Sequence, residues 1–350
     1  MNETNLTPRQ NLILILVNNS SGISRSEIEE RVNDRYPSSK PTIARDLALL
    51  GANNLIRTQG KAKNTIYFPS NNNPLLRFID INKYFAQDVD QREGKAFFDF
   101  KIFNHLQDLI SDQEKEGIEK VNKSFKASSQ SLSEDIYKRE LERFVIELSW
   151  KSSKIEGNTY TLLDTETLIK QKIEASGHPK EEAIMILNHK EAFDKIIQNK
   201  DDFRYISLSQ LTQLHNILIN GLSITSGIRS EPVGITGTIY KPLDNSHQIT
   251  EALEKTVEAI NNVSYPLEKA LIASTMVSYI QPFADGNKRT GRMITNAILL
   301  ANDYFPLSYR SVDETIFKEA LLLFYEQLSI IPFKKLILDQ YKFALNTYFN

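Results

Sequence analysis

A carboxylate, a carboxamide and three cations fall within eight positions of Asp285-Gly286-Asn287-Lys288-Arg289-Thr290-Gly291-Arg292. Pro282 and Gly286 bend the backbone, and a helix opening at this point would present free N–H groups and roughly half a positive charge. Arg289 and Arg292, three apart, share one face of its first turn. Two guanidiniums there oppose the dipole, so a polyanion is their natural partner. Asp285 beside them suits a hard cation such as Mg²⁺, which takes one or two carboxylates plus substrate phosphates. The residues thus describe a Mg²⁺–polyphosphate cradle, against a plainer alternative in which Asp285 pairs with the arginines across an ordinary turn.

Such a loop needs two helices to hold it. The apolar run Ala270 to Ile280 reads as a buried helix ahead of it, and Met293 to Ala301 as another behind it. A third helix within Leu141 to Tyr160 stops at Gly157. Glu156, just before that stop, is misplaced, because the dipole disfavours a carboxylate at a helix C-terminus unless a cation meets it. Arg292 is the candidate cation. Further helices are expected over Asp164–Ile173, Lys180–Gln198, Leu208–Asn220, Gln248–Asn261, Phe317–Ser329 and Phe333–Tyr348. The stretch Val233 to Pro242 alternates apolar and small residues like a short hairpin.

The loop resembles, nearly position for position, the signature of the Fic family, H-x-F-x-(D/E)-G-N-(G/K)-R-x-x-R. Ser152, Glu156 and Gly157 are similar to that family's inhibitory motif, (S/T)-x-x-x-E-(G/N). The resemblance covers roughly residues 95–345, with specific motifs at these two places. Fic proteins mostly transfer AMP from ATP to a Ser, Thr or Tyr hydroxyl of a target protein. The resemblance implies that Phe283 anchors the loop, that Asp285 binds the metal, and that Gly286, Asn287, Lys288 and Gly291 contribute to the phosphate site. It assigns the β- and γ-phosphates to Arg289 and Arg292, and makes Glu156 the inhibitor that pairs with Arg292. It implies also that residues 229–243 are a hairpin flap, in which Val233, Ile235, Thr236, Gly237 and Thr238 dock the target by strand addition.

One position departs from the signature: where the family has histidine, this chain has Gln281. The family's histidine takes the proton from the attacking hydroxyl, and a carboxamide has no basic site near neutral pH. General-base catalysis is commonly worth about 10² to 10⁴ in rate, roughly 3 to 5 kcal/mol. Binding should survive and transfer should be crippled. His215, on an amphipathic stretch, reads as structural. Nothing in the sequence ties His105, His178 or His189 to the loop, and His247 follows the flap.

The remainder sets outer bounds. A chain of 350 residues with net charge −2 and no cysteine suits about two or three domains, leaves nucleic-acid contact to a local patch, and excludes disulfides and thiolate zinc sites. No signal peptide and no membrane span are visible, which makes the cytoplasm the default. Residues 1–70 read as three helices and a basic hairpin and resemble a winged helix-turn-helix. In that arrangement Lys40, Thr42 and Arg45 would face DNA, and Lys61 and Lys63 would meet phosphates. Residues 71–94 are the expected linker, and Ser124 to Ser133 a second flexible joint. Phe97, Phe98, Phe100 and Phe103 are expected in the core. The expected whole is mainly α: a Fic-type helical core over 95–345, with an inhibitory helix about 135–157, the flap and the 281–292 loop, fused to the small winged helix. ATP with Mg²⁺ and a target protein are the implied partners. Double-stranded DNA and a homodimer stay open, and a nucleotide-sensing DNA-binding regulator without transferase activity is the alternative function.

Overall fold

The structure, a computed structural model, describes residues 6–18, 20, 22–53, 55–61, 64–70, 73–129 and 133–348. The chain separates into two compact units, Met1–Asp88 with Leu328–Ile331, and Val89–Gln327 with Pro332–Asn350. The smaller one runs α1 (Pro8–Asn18), β1 (Ile23–Ser24), α2 (Arg25–Asn33), α3 (Lys40–Ala52), β2 (Ile56–Gln59), β3 (Ile66–Pro69) and α4 (Ile81–Phe85). Thr7 and Gln10 exchange capping bonds at the start of α1, and Ser24 with Glu27 forms a capping box on α2, each satisfying amides that a helix start leaves open. The strands form an antiparallel sheet in the order β1-β3-β2. Ile13, Val17, Ile28, Val32, Ile43, Leu47, Leu50 and Ile56 fill the core between helices and sheet.

The boundary of this unit differs from the expected linker at 71–94. Leu75 is fully buried and Phe78 packs on the helical core. The Leu75 and Arg77 carbonyls accept from the Ile330 N–H at 2.9 Å and the Ser329 hydroxyl at 2.7 Å. Apolar burial thus carries the small unit on to Asp88. β1 has no counterpart in the sequence reading, since two residues carry no periodicity to detect.

The larger unit is helical: α5 (Asp112–Ser129), α6 (Glu134–Ile155), α7 (Leu162–Gln171), α8 (Lys180–Gln198), α9 (Leu208–Ile219), α10 (Ser246–Asn262), α11 (Pro266–Ile280), α12 (Asn287–Ala301), α13 (Glu314–Gln327) and α14 (Ile331–Thr347). Residues Ala270 to Ile280 of α11 are buried without exception, as befits a helix that is apolar all round. It packs against α10, α12 and α13, while the far side of α12 meets α6, α8 and α9. Among the described residues no helix is long and apolar enough to cross a membrane.

Three expectations need correction here. The serine-rich joint is helix α5 through Ser129, with residues 130–132 outside the described set. Ile118 and Asn122 are buried on one face of that helix, the latter accepting from the Tyr341 hydroxyl at 2.9 Å, and these contacts override serine's weak helix propensity. Phe97 is 68% exposed, while Phe98 turns inward and stacks on Tyr279 at 4.6 Å. The hairpin flap is absent: residues 229–243 form no ladder, and Lys241 makes only an isolated parallel bridge to Phe97. Side chains take the carbonyls that a hairpin would need. Arg229 donates to the carbonyls of Glu231 and Leu243, and Arg92 donates to that of Gly237 at 2.9 Å, where φ is +84°.

Gly291 sits where α12 crosses α11, and a Cβ there would stand 3.2 Å from the Ser274 carbonyl oxygen. That oxygen belongs to a buried helix and cannot step aside alone. Gly291→Val is expected to cost roughly 1–3 kcal/mol through overpacking, seen as a lower thermal midpoint. A variant melting at or above the native chain would refute this close approach.

Candidate functional site

Helix α11 ends because Gln281 adopts the left-handed conformation, φ 51° and ψ 58°, with its N–H bonded to the Val277 carbonyl at 3.1 Å. A non-glycine residue pays for that backbone, and side-chain bonds compensate. The Gln281 carboxamide donates to the Ser278 carbonyl at 2.6 Å and accepts from Asn287 Nδ2 at 2.9 Å. Asn287 in turn accepts from the Phe283 N–H and donates to the Phe283 carbonyl. Phe283 is fully buried and stacks on His215 at 3.7 Å, whose Nε2 donates to the Asp285 carbonyl at 2.9 Å. Gly286, at φ 80°, then starts α12 with no side chain capping its first turn.

A cavity of about 280 Å³ lies over that uncapped end, lined by Glu156, Val233 to Thr236, Gln281, Ala284 to Lys288, and Lys318. Two larger surface grooves, about 800 and 480 Å³, flank α6, but their charges pair locally, as in Lys170–Glu166 and Lys190–Asp194. The smaller cavity has the convergent groups. Beneath it Arg289 and Arg292 are almost wholly buried. Arg289 reaches Asp285 at 3.1 Å and the Leu218 carbonyl at 3.3 Å. Arg292 places Nη2 2.8 Å from Glu156 Oε1, and gives Nε and Nη2 to the hydroxyl and carbonyl of Ser152 at 2.9 and 2.8 Å. Its Nη1 is buried without a partner. Lys288 approaches the other Glu156 oxygen at 3.4 Å. Burial pushes the Glu156 carboxyl up, but the charges of Arg292 and Lys288 and the Arg292 bond outweigh it and hold the group at about 2.

Glu156, Gln281, Asp285, Gly286 and Lys288 therefore line one cavity, behind which Arg289 pairs with Asp285 and Arg292 with Glu156 and Ser152, and Gly157 ends α6 at φ 95°. Gly291 is not at the phosphate position expected of it, because it faces Ser274 on α11. Asn287 has its carboxamide engaged by the loop itself, so it shapes the site where contact with phosphate was expected. Val233, Ile235 and Thr236 line the cavity. Gly237 and Thr238 are turned to Arg92 and the Tyr240 N–H. In the small unit Lys40, Arg45 and Lys61 are exposed, the Thr42 hydroxyl is bonded to Ser39 at 2.9 Å, and Lys63 lies outside the described residues.

Three participants escaped the sequence reading. Lys318 of α13 lines the cavity. Arg229 clips the irregular segment 229–243 to the loop, giving Nε to the Gln281 carbonyl at 2.7 Å while its backbone N–H reaches that of Pro282 at 3.0 Å. His189, thought unconnected, bonds to Ser152 at 2.8 Å. Only the last had a conceivable signal, a lone polar ring on the apolar side of α8.

Residues 205–299 match the model of the Fic/DOC family. Curated relatives include proteins named "Protein adenylyltransferase Fic" from Nematostella vectensis, 28% identical over 58% of this chain and 48% of that protein, and from Culex quinquefasciatus, 27% identical over 60% and 43%. The chain thus spans about half the length of these relatives or less. Among solved structures, a Fic-domain-containing signalling protein from Bacteroides thetaiotaomicron superposes with TM-score 0.57 at 20% identity, over 65% of this chain and 94% of that one. A Fic family protein from Desulfovibrio desulfuricans gives 0.55 at 23%, over 67% and 72%. At these identities the structures establish the fold alone.

A carboxyl held near 2 against an ordinary 4.5 has a depressed folded-state pKa. Its stabilisation, roughly 3 kcal/mol, is fully present above about pH 4.5 and disappears as pH falls through about 2. Glu156→Gln should melt below the native chain by an amount that is constant from pH 8 to 5 and narrows only in stronger acid. Thermal melts across that range check it, and a gap already closing between pH 7 and 5 would contradict the pairing.

Proposed function

We propose that this chain, whose residues 205–299 match the Fic/DOC family model, is a nucleotide-binding protein of the adenylyltransferase class, self-inhibited by Glu156 and poor in transfer because of Gln281. The observation that carries the reading is the Glu156 carboxylate seated on Arg292 beside an uncapped helix start. A triphosphate brings more negative charge than one carboxylate, and the oriented amides at the start of α12 and Lys288 line the cavity that would receive it. To settle there it must displace Glu156, which is what self-inhibition requires. The names of the relatives support the class.

The donor set suits a magnesium ion that arrives on phosphate. Asp285 is a single carboxylate with 69% of its side chain exposed, and among the described residues no cluster of three acidic or histidine groups exists to bind a metal alone. Asp285 would hold the ion, which would supply charge neutralisation to the phosphates.

In AMP transfer a target hydroxyl forms a bond to the α-phosphorus, the bond to the β-phosphate oxygen breaks, pyrophosphate leaves, and the hydroxyl proton must be accepted. The cavity mouth at Val233 to Thr236 would meet the target. The Gln281 carboxamide is committed on both sides, to Ser278 and Asn287, and takes no proton at neutral pH. His215 cannot replace it: burial lowers its pKa and its Nε2 serves the Asp285 carbonyl. Gln281→His with Glu156→Gly should raise transfer from α-labelled ATP into protein by about 10² to 10⁴, while the native chain labels weakly or not at all. A double variant that binds ATP yet labels no protein would remove the enzyme assignment.

A second reading, a nucleotide-sensing DNA-binding regulator, is favoured by exposed Lys40 and Arg45 on α3 and Lys61 beyond β2. Three helices and a three-stranded sheet in this order are what a winged helix uses to place α3 in a major groove. Duplex binding should then weaken steeply with salt and fall further in Arg45→Ala. No binding even at low salt would end this reading.

A further inference from the structure

His189 on α8 is fully buried, belongs to neither sequence motif and has no role in the reading above. Its Nδ1 lies 2.7 Å from the Met185 carbonyl and 3.3 Å from the Ser153 hydroxyl, and its Nε2 lies 2.8 Å from the Ser152 hydroxyl. These contacts fix the protons by elimination. A carbonyl only accepts, so Nδ1 carries the hydrogen. Burial, with Arg289 and Arg292 close by, lowers the ring's pKa to about 3, so Nε2 is bare at neutral pH. The Ser152 hydroxyl must therefore donate to Nε2. Its oxygen is left to accept from Arg292 Nε at 2.9 Å. A hydroxyl free to rotate could point its proton at the guanidinium, but one held by His189 cannot.

We infer that His189 is a positioning residue for the polyphosphate site: through Ser152 it fixes the plane of the Arg292 guanidinium, whose Nη1 stays buried without a hydrogen-bond partner. This deepens the nucleotide-binding reading and rests on it. The same plane presents Nη2 to Glu156, so one ring on α8 sets both the inhibited contact and the arrangement that replaces it.

The test is ATP–Mg²⁺ titration calorimetry on the full chain in the Glu156→Gly background, with ADP as a second ligand. His189→Leu should weaken ATP about tenfold, the scale of a hydrogen bond to a charged group, and ADP much less. His189→Gln, which keeps an acceptor, should restore most of the loss. Adding His189→Leu to Ser152→Ala should change nothing further, because the two act in series. Equal losses for ATP and ADP, additive losses, or unchanged affinity in a folded His189→Leu chain each overturn the inference while the nucleotide-binding reading stands. Failure of the Glu156→Gly chain to bind ATP at all, with His189 intact, overturns that reading and this inference with it. Should His189→Leu not fold, imidazole ¹⁵N shifts of the native chain decide. A neutral Nδ1–H ring down to pH 5 is expected, and an Nε2–H or cationic ring refutes the relay.

Discussion

A guanidinium buried in the first turns of a helix stands in the wrong field, since the dipole there favours anions and burial penalises any charge. Arg289 and Arg292 both stand so at the head of α12. Much of the larger unit answers that cost. Helix α6 ends where its last carboxylate reaches Arg292, Ser152 turns its hydroxyl and carbonyl to the same group, α9 lends the Leu218 carbonyl to Arg289, and Asp285 closes the other side. Removing one partner from such a cluster is worse than never having built it, because the charge remains. The satisfaction is also incomplete, since Arg292 Nη1 has no partner. Two guanidiniums are thus met by two carboxylates, Asp285 and Glu156, and on the proposed reading it is Glu156 that an incoming polyanion displaces.

The loop between α11 and α12 owes its shape to a second constraint. Its first residue must turn left-handed, and it is held there by bonds within the loop: Gln281 to Ser278 and Asn287, and Asn287 to both backbone groups of Phe283. Arg229 adds an anchor from outside by capping the carbonyls of Gln281 and Pro282. Residues 229–243 are thus attached to the loop by the Arg229 backbone N–H and by its guanidinium, which also takes the Glu231 and Leu243 carbonyls, a spread that a lysine's point charge could not span.

What was legible in the sequence follows the range of the forces involved. Helix α8 is bounded as read, Lys180 to Gln198, because its apolar periodicity is local. The misfit of Glu156 with its own helix end pointed to Arg292, a correct pairing across 136 positions, because a charge in an unfavourable field is a local contradiction that demands a distant answer. The flap misled for the opposite reason. Alternation of small and apolar residues mimics a strand, while the groups that prevent pairing, Arg92 and the Arg229 guanidinium, act through contacts no local pattern encodes. His189 left only a faint signal, a polar ring on the apolar side of α8, because its partners, the Met185 carbonyl and the hydroxyls of Ser152 and Ser153, lie partly on another helix.

The exchange of histidine for glutamine at 281 separates shape from chemistry. A carboxamide offers one acceptor and one donor pair on a planar group, as a neutral imidazole offers one acceptor and one donor. Gln281 uses its acceptor toward Asn287 and its donor toward the end of α11, so the left-handed turn, the seat of Phe283 and the uncapped start of α12 persist without a proton acceptor. A polar group unable to make both bonds would leave Asn287 or the Ser278 carbonyl unsatisfied and burden the loop. Of the uncharged residues, glutamine is well suited to hold this loop geometry without supplying a base, and on the proposed reading the Glu156 clamp on Arg292 beside it favours occupancy of the site over turnover.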